Sequence, residues 1–442
     1  MSQIKPQLQL PVSWDELPYP SGTPYDRFID NLGDYGISAA DGDLLAVAQR
    51  SGYVDYRDYL PIYFHNGTSY EFEGLLDYSA EGYDGSPSHI DISGNYIAVS
   101  MHTATESTYE DGVVLVYRRV SAANYMLEAK LHNRHPAGTT YPYHFGDLVV
   151  IIGDSLFITY DPYNNDTDQL IYHYERDGAG VWNRANDLTV SNIHGNDGFA
   201  TKLMKSPKGE LLFTADVDGS TADTLFVFAN DGAGTWSQKQ KIDINFSSVS
   251  QCIFDDATDS FVILSSDDLE EWSFNGAEYE LTRVNSNALD PYSVTSSNTQ
   301  WHSAYHNGYI FVRTTVATTD TANSILVLGR NLDTGDFEAV GEIYNPRGYV
   351  SPTQFGYLLS TPHELLAFDA YDDTYSTSQT GLIRSLKPDA GGAFANLTYK
   401  VNDVTYAIPT DIQTYQSGAL IPAQKAFVKD ANGTYINIWE RS

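Results

Sequence analysis

Cysteine, basic residues and long apolar runs are all scarce in this sequence. A single cysteine, Cys252, excludes a disulfide framework and a metal cluster built from several thiolates. No run of 18 apolar residues occurs, and the start lacks the apolar stretch that a secretory signal needs. We therefore expect a chain that is made in the cytoplasm and does not insert into a membrane.

The charge balance is strongly negative. Only 25 lysines and arginines stand against 58 acidic residues, which gives a net charge of −33. Such a surface is repelled by phosphate backbones, so general binding to nucleic acids is excluded. The acidic residues are 41 aspartates and 17 glutamates, and aspartate is typical of turns and loops rather than helices.

Helical periodicity is nearly absent, and a short apolar run recurs along the whole chain instead. The run usually follows a Gly-Asp or Gly-Asn turn, as in DGDLLAVA (41–48) and IGDSLFIT (152–159). Eight copies occur, at spacings of 52, 60, 55, 50, 48, 56 and 55 residues, and the last copy, QSGALIPA (416–423), is the weakest. Such a period is typical of repeat folds.

A second pattern follows most copies: an alternating run, a Gly-rich turn, and an aromatic residue that resumes the alternation. LIYHYERDGAGVWN (170–183) is one example. Each pattern predicts a β-hairpin, and two hairpins make a four-stranded antiparallel sheet. The chain is therefore predicted to be all-β, a β-propeller of seven to eight four-stranded antiparallel blades, and eight by repeat count. The structural alternative is a tandem of β-sandwiches.

These repeats divide the chain into two predicted parts. Residues 1–33 are an N-terminal leader or docking segment outside the repeats, rich in proline and aromatic residues. Residues 34–442 are predicted to be a single propeller domain. The leader could dock to another protein or pack across the propeller as a strap.

The repeat units resemble the FG-GAP repeats of integrin-α-like propellers and their bacterial relatives. The third unit carries Phe145-Gly146, then Gly153-Asp154, then an acidic loop, and ends with Asp177-Gly178 and Trp182. The resemblance covers about residues 34–442 and is clearest in the first four units. It implies a propeller fold, and it implies calcium in an acidic loop of the blade.

Two acidic loops suit that implied calcium site. Calcium prefers six to eight oxygen ligands from a flexible acidic loop. The third and fourth units provide candidate ligands within eight residues each: Asp161, Asn164, Asp166 and Asp168, and then Asp216, Asp218 and Asp223. The fourth unit departs from the family pattern, because Ser220 stands where a third alternating acid is expected. The alternative is that both loops are simply solvated.

Tyrosine is abundant, with 33 residues, and many of them fall in predicted loops. A tyrosine side chain offers a large contact area and a hydroxyl group, so it suits contacts with proteins or glycans. The candidate binding residues are Tyr53, Tyr56, Tyr59, Tyr163, Tyr371 and Tyr375. Packing between blades is the alternative use for these rings.

Catalytic motifs are missing. The sequence contains no G-x-S-x-G, P-loop or H-E-x-x-H motif, and no two carboxylates stand out for glycoside hydrolysis. The close histidine pairs His132/His135 and His302/His306 lack a third zinc ligand. We therefore expect a protein that is not an enzyme.

A large propeller without these motifs is expected to act by binding. The sequence favours a bacteriophage virion protein, in the tail or a surface spike, exposed on the particle and engaged in host attachment. Its expected partners are other virion proteins, through the N-terminal segment, and a host surface glycan or protein. The alternatives are a bacterial cell-surface adhesin or lectin-like module and a polysaccharide-degrading propeller enzyme.

Overall fold

The structure is a computed structural model whose described residues form strands and the turns between them. These residues are 14–17, 38–47, 59–78, 87–101, 112–132, 144–161, 170–190, 200, 202–216, 223–232, 234–244, 251–255, 258–265, 268–286, 288, 303–314, 324–331, 334–344, 355–369, 382–386, 397–401, 404–408, 413–416, 419–422, 425–429 and 435–440. Within these ranges, no helix is long and apolar enough to cross a membrane.

Six sheets each consist of four strands that follow one another in the chain, and we number them blades 1 to 6. Their strands pair antiparallel. Blades 1 to 3 contain β2 (Ser38–Asp41), β3 (Leu44–Val47), β4 (Tyr59–His65), β5 (Tyr70–Asp77); β6 (His89–Ser93), β7 (Tyr96–Met101), β8 (Val113–Ser121), β9 (Asn124–His132); and β10 (His144–Ile152), β11 (Ser155–Asp161), β12 (Ile171–Arg176), β13 (Trp182–Arg184). Blades 4 to 6 contain β14 (Leu203–Lys205), β15 (Leu211–Asp216), β16 (Asp223–Asn230), β17 (Trp236–Asp243); β18 (Gln251–Asp255), β19 (Ser260–Leu264), β20 (Leu269–Phe274), β21 (Tyr279–Asn285); and β22 (Ser303–His306), β23 (Tyr309–Thr314), β24 (Ser324–Arg330), β25 (Phe337–Tyr344).

A further four-stranded sheet combines strands from the two ends of this region, and we name it the closing sheet. It contains β26 (Phe355–Ser360), β27 (Leu365–Asp369), β28 (Leu382–Leu386) and, beside β28, the early strand β1 (Trp14–Glu16). Strand β26 contacts β22 of blade 6 and β2 of blade 1, so the closing sheet lies between the last and the first blade.

The prediction of an all-β propeller with four-stranded antiparallel blades is confirmed, but the prediction of seven to eight blades goes further than the sheets support. The prediction that the eighth repeat forms a four-stranded blade is wrong. Its signature at 416–423 gives a two-stranded hairpin, because β31 (Gln413–Gln416) pairs only with β32 (Ala419–Pro422) in the described structure. The other late hairpins are β29 (Leu397–Val401) with β30 (Val404–Ile408), and β33 (Lys425–Lys429) with β34 (Tyr435–Glu440).

The chain separates into two compact units. One comprises residues 14–340 and 344–386 and holds almost all of the blades, and the other comprises residues 1–13, 341–343 and 387–442. The predicted boundary between a leader (1–33) and a propeller (34–442) stays a prediction. Within the predicted leader, Trp14–Glu16 pairs with β28 in the closing sheet.

The core lies between sheets, because the strands are apolar on both faces. In β8, Val113 and Leu115 pack against blade 1, whereas Val114 and Val116 pack against blade 3. All four side chains are fully buried. The side chains of such a strand point alternately towards two apolar neighbours, so its sequence is a nearly continuous apolar run. This is the recurring pattern of the sequence.

The Phe-Gly pair at the start of the third unit has a clear physical role. Phe145 is fully buried in the core between blades 2 and 3. Gly146 adopts φ +86°, and an added Cβ would lie 3.0 Å from Val114 Cγ2. A glycine is therefore required both by the backbone conformation and by the close approach of blade 2. The register of β10 against β11 shifts immediately afterwards, between Phe145 and Val149.

Side chains of blade 2 accept hydrogen bonds from backbone N–H groups at the inner edge of blade 3. The N–H of Ile151 donates to Asp91 Oδ2 at 2.8 Å, and the N–H of Gly153 donates to Ser93 Oγ at 3.0 Å. Lys205 of blade 4 reaches the same carboxylate, with Nζ 2.9 Å from Asp91 Oδ1. Unpaired strand edges are thus capped by the preceding blade rather than left to water.

Buried ion pairs join neighbouring blades near their outer edges. Glu73 of blade 1 accepts hydrogen bonds from Arg119 Nε at 2.8 Å and from the Tyr125 hydroxyl at 2.5 Å, both in blade 2. Burial alone would raise the pKa of Glu73, but the hydrogen bonds from Arg119, Tyr125 and the Ala123 N–H hold it below its ordinary value. Glu128 of blade 2 bonds Arg176 of blade 3 in the same way, at 2.9 Å.

We predict that Glu73→Gln lowers the free energy of unfolding by about 1–3 kcal/mol, because Arg119 loses its charged partner in a buried place. Urea unfolding at neutral pH measures this loss. Since the folded state lowers the Glu73 pKa, its contribution is present above the ordinary carboxyl pKa and disappears as the pH falls through the lowered value. Wild type and variant should therefore converge in acid.

The matched control is Asp243→Asn, which removes a carboxylate that is 80% exposed and 3.1 Å from Lys241 Nζ. An exposed pair contributes little, so this change should be nearly neutral. Equal effects of the two substitutions would contradict the role given to Glu73.

Candidate functional site

The two ends of the blades differ in the length of their connections. Connections from the first to the second strand and from the third to the fourth leave one end, and they contain two to six residues. Connections from the second to the third strand, and from one blade to the next, leave the opposite end. They contain four to twelve and seven to eighteen residues, respectively. We call these ends the short-turn face and the long-loop face.

The predicted binding tyrosines all belong to the long-loop face by their position in the chain. Tyr59 is described, and it is the half-buried first residue of β4, opposite Asp77 in the register. The other predicted binding residues lie outside the described residues: Tyr53, Tyr56, Tyr163, Tyr371 and Tyr375. Four of these five fall in the connections 48–58 and 370–381, which belong to blade 1 and its neighbour, the closing sheet.

The predicted calcium ligands belong to the same face. Asp161 is the last residue of β11 and is opposite His144, while Asp216 and Asp223 are opposite each other where β15 and β16 end. The remaining predicted ligands, Asn164, Asp166, Asp168 and Asp218, lie outside the described residues. The structure thus pairs two of the seven predicted ligands directly, Asp216 and Asp223.

A different cluster, which the sequence did not indicate, occupies the short-turn face where blade 1 meets the closing sheet. Asp43 lies in the turn after β2, His65 is the last residue of β4, and His363 lies in the turn between β26 and β27. One potential ligand atom from each lies within 4.8 Å of the others. We call these three residues the junction cluster.

The junction cluster is held by stacking and by two carboxylates. The rings of His65 and His363 are stacked with centroids 3.7 Å apart and planes within 4°. His363 Nε2 lies 2.8 Å from Asp43 Oδ1, and His65 Nε2 lies 3.5 Å from Glu364 Oε1. The side chains of His65 and Glu364 are buried, whereas Asp43 is 52% and His363 is 30% exposed. The cluster is therefore anchored on one side and open to solvent on the other.

The surroundings fix the orientation of His65. Its Nδ1 accepts a hydrogen bond from the Gly67 N–H at 3.2 Å, and its ring contacts the Tyr70 ring edge-on at 5.0 Å. Burial, and to a smaller extent the charges of Glu364 and Asp43, raises the pKa of Tyr70 to about 12, against a lowering effect of Thr361. Tyr70 is thus a neutral phenol at physiological pH.

No local signal in the sequence could have found the junction cluster. His65 and His363 are 298 positions apart, and neither belongs to a close histidine pair. His306, which does belong to one, lies in β22 and contacts Ser360 Oγ at 3.2 Å through Nδ1. Burial lowers the His306 pKa to about 4, so this histidine is a neutral side chain in the contact between blade 6 and the closing sheet.

A serine, a histidine and a carboxylate also meet in blade 3, but in the wrong order for nucleophilic catalysis. Glu175 Oε1 accepts from Ser155 Oγ at 2.6 Å and lies 2.7 Å from His173 Nε2. A catalytic triad needs the histidine between the serine and the carboxylate. Ser155 also accepts a hydrogen bond from Trp236 Nε1 of blade 4 at 3.0 Å, so the group joins two blades.

No protein-family profile and no curated protein matches the sequence. Similar solved structures include a putative 6-phosphogluconolactonase from Bacteroides uniformis, 12% identical with a TM-score of 0.44 over 71% of this chain and 86% of that one. The periplasmic gluconolactonase of Pseudomonas aeruginosa is 14% identical, with a TM-score of 0.44 over 71% and 86%. A puromycin hydrolase is 11% identical, with a TM-score of 0.46 over 97% of this chain and 61% of that one.

The expectation that this chain is not an enzyme is corrected by these similarities. The structures to which its fold is similar carry the names of lactonases and a hydrolase. A propeller fold without a familiar motif therefore does not exclude catalysis. At these identities the likeness concerns the fold, and the named activities belong to those proteins.

Proposed function

We propose that this protein is a recognition protein of a bacteriophage virion, exposed in the tail or a surface spike, that attaches to a host surface glycan or protein through its long-loop face. The observation that carries this proposal is the separation of connections between the two faces. Every two-residue turn leaves one end of the blades, and every connection of seven or more residues leaves the other end, where the candidate tyrosines and aspartates also lie.

Such an arrangement suits recognition for a physical reason. Loops of variable length on a rigid scaffold can differ in sequence without disturbing the core, so binding residues are commonly found there. The blades supply that rigidity, since strand residues close to the loops, such as Val113 and Leu225, are fully buried. Tyrosines on a fixed scaffold lose little conformational entropy on binding.

The charge narrows the class of partner. At −33 the chain is repelled by anionic surfaces, which favours a neutral or cationic host structure over nucleic acid or a bare anionic membrane. Contact with other virion proteins through the N-terminal segment is part of the proposal. The pairing of Trp14–Glu16 with β28 would tether that segment to the propeller.

The test begins with mass spectrometry of purified particles and with competition of infection by the recombinant protein. We expect the protein on particles, and we expect competition to weaken by about tenfold or more when Tyr53 and Tyr56, or Tyr371 and Tyr375, are replaced by alanine, because aromatic anchors dominate such interfaces. Val181→Ser is the control, since Val181 is 53% exposed and lies in a connection of the short-turn face.

Each result of this test has a definite meaning. Absence from particles would contradict the virion assignment, and detection on the producing bacterium would favour the adhesin instead. Presence without competition would contradict attachment. Release of sugar products from host glycan during the assay would show that the long-loop face also performs chemistry.

We also propose that the closing sheet is the seventh blade and completes the ring. The support is its packing on blade 1. Leu366 of the closing sheet is fully buried against Leu45, Val47 and Tyr63. We predict that Leu366→Ala lowers the free energy of unfolding by about 2–4 kcal/mol, whereas Leu281→Ala, at a side chain 39% exposed, costs well under that amount. If denaturant unfolding shows the two variants to be alike, the ring does not close here.

The calcium proposal concerns the loop that joins β15 and β16. Paired register positions hold two acidic residues, Asp216 and Asp223, and like charges placed opposite each other destabilise a strand pair unless a cation lies between them. We predict that calcium raises the melting temperature of the wild type and that Asp216→Ala with Asp218→Ala reduces this increase. Calorimetry with Asp154→Ala, an exposed turn aspartate on the short-turn face, provides the control. Identical calcium responses in all three proteins would show that the loop is only solvated.

A further inference from the structure

The junction cluster brings together the ligand types that transition metals prefer. It presents two imidazoles and one carboxylate from two different sheets, with the Glu364 carboxylate beside them. We propose that Asp43, His65 and His363 bind one divalent transition-metal ion of the zinc class, and that this ion links blade 1 to the closing sheet. The site is separate from the long-loop face, so it does not depend on the proposed function.

The distances are close to those of a coordinated ion. Zinc binds nitrogen and oxygen ligands at about 2.0–2.2 Å, which places neighbouring ligand atoms roughly 3.3 Å apart in a tetrahedron. His363 Nε2 and Asp43 Oδ1 are 2.8 Å apart, so an ion would replace the shared proton after a small separation. All three ligand atoms already lie within 4.8 Å of one another, so the remaining adjustment is at most about 1.5 Å.

The exposed residues are the ones that have to move. Parallel rings direct their nitrogen lone pairs side by side, so one ring must turn before both can face one ion. His363 is the freer ring, since it is 30% exposed on a turn, and Asp43 is 52% exposed. His65, by contrast, is fixed by burial and by its contact with the Tyr70 ring. One anchored ligand and two mobile ones make a site that closes around an incoming ion.

The chemistry selects the class of metal. Two imidazole nitrogens with a carboxylate suit zinc, cobalt or iron, whereas calcium and magnesium prefer ligand sets made entirely of oxygen. Glu364 adds a second negative charge beside the site, with Oε1 at 3.5 Å from His65 Nε2, and this charge would help to neutralise the dication. The junction cluster is therefore distinct in kind from the acidic loops proposed for calcium.

The neutral His65 ring has to change its tautomer when the ion binds. Because Nδ1 of His65 accepts the Gly67 N–H, the neutral ring carries its proton on Nε2, which points towards Glu364. Coordination through Nε2 moves this proton to Nδ1 and ends the 3.2 Å contact with Gly67.

The experiment uses the full chain, in a buffer without a chelating component. Zinc binding is measured by titration calorimetry, and Co²⁺ is used as a second probe because its visible absorption reports nitrogen ligands. We expect one ion per chain in the wild type, and a binding constant at least about tenfold weaker in Asp43→Asn and in His363→Ala.

Asp154→Asn is the matched control. Asp154 follows Gly153 in the turn of blade 3 just as Asp43 follows Gly42 in blade 1, and it is 63% exposed. It should bind zinc like the wild type. Asp43→Asn keeps the size of an exposed side chain, so its result does not depend on whether a buried-site variant folds. The proposal is overturned if the wild type shows no saturable site, or if Asp43→Asn and His363→Ala bind zinc as tightly as Asp154→Asn.

Discussion

The need to bury both faces of every sheet is the constraint on which this structure depends. A single blade has two apolar faces, as β8 shows with Val113 and Leu115 on one side and Val114 and Val116 on the other. No blade can satisfy this requirement alone, and a row of blades would leave one apolar face exposed at each end. The row must therefore close on itself, and the chain brings its early strand β1 to β28 to build the sheet where it does so.

The row closes where the closing sheet meets blade 1. In the described structure, this is the only place where residues far apart in the chain share a polar cluster of this kind. Between blades 2 and 3, Asp91 and Ser93 bond to backbone groups about sixty residues away. At the closing junction His363 bonds Asp43, 320 residues away. Forming this junction closes the longest loop in the ring, so it has the largest cost in conformational entropy. The long-range polar contacts there help to offset that cost. The same junction underlies the proposed metal site, while the loops of the long-loop face leave the opposite end of the sheets.

Much of the fold could be predicted from the sequence, because each hairpin is encoded locally. The Gly-Asp and Asp-Gly turns and the alternating runs fall where strands begin and end, as for Ser155–Asp161 after Gly153-Asp154. The way in which the hairpins combine into sheets is not encoded locally. The run at 416–423 has the same signature, yet it forms a hairpin of its own, since joining two hairpins in one sheet depends on the partners that bury its faces. Pairing of Trp14–Glu16 with β28 was equally invisible, because a three-residue strand has no periodicity to detect.

The same limit explains why the missing motifs gave a wrong expectation about catalysis. A sequence motif exists only where the functional residues lie on one short segment, such as a helix or a strand with its loop. In a ring of blades, neighbouring side chains come from segments about fifty residues apart, or from the two ends of the region, so a site leaves no spacing to recognise. The junction cluster is an instance, since its residues span positions 43 to 363 and none of them stood out in the sequence. The converse occurs in blade 3. The residue types of a catalytic triad do meet there, in Ser155, Glu175 and His173, but their order serves packing between blades. In a propeller, therefore, sequence spacing neither reveals nor excludes a catalytic site, and the three-dimensional arrangement of the side chains decides which chemistry is possible.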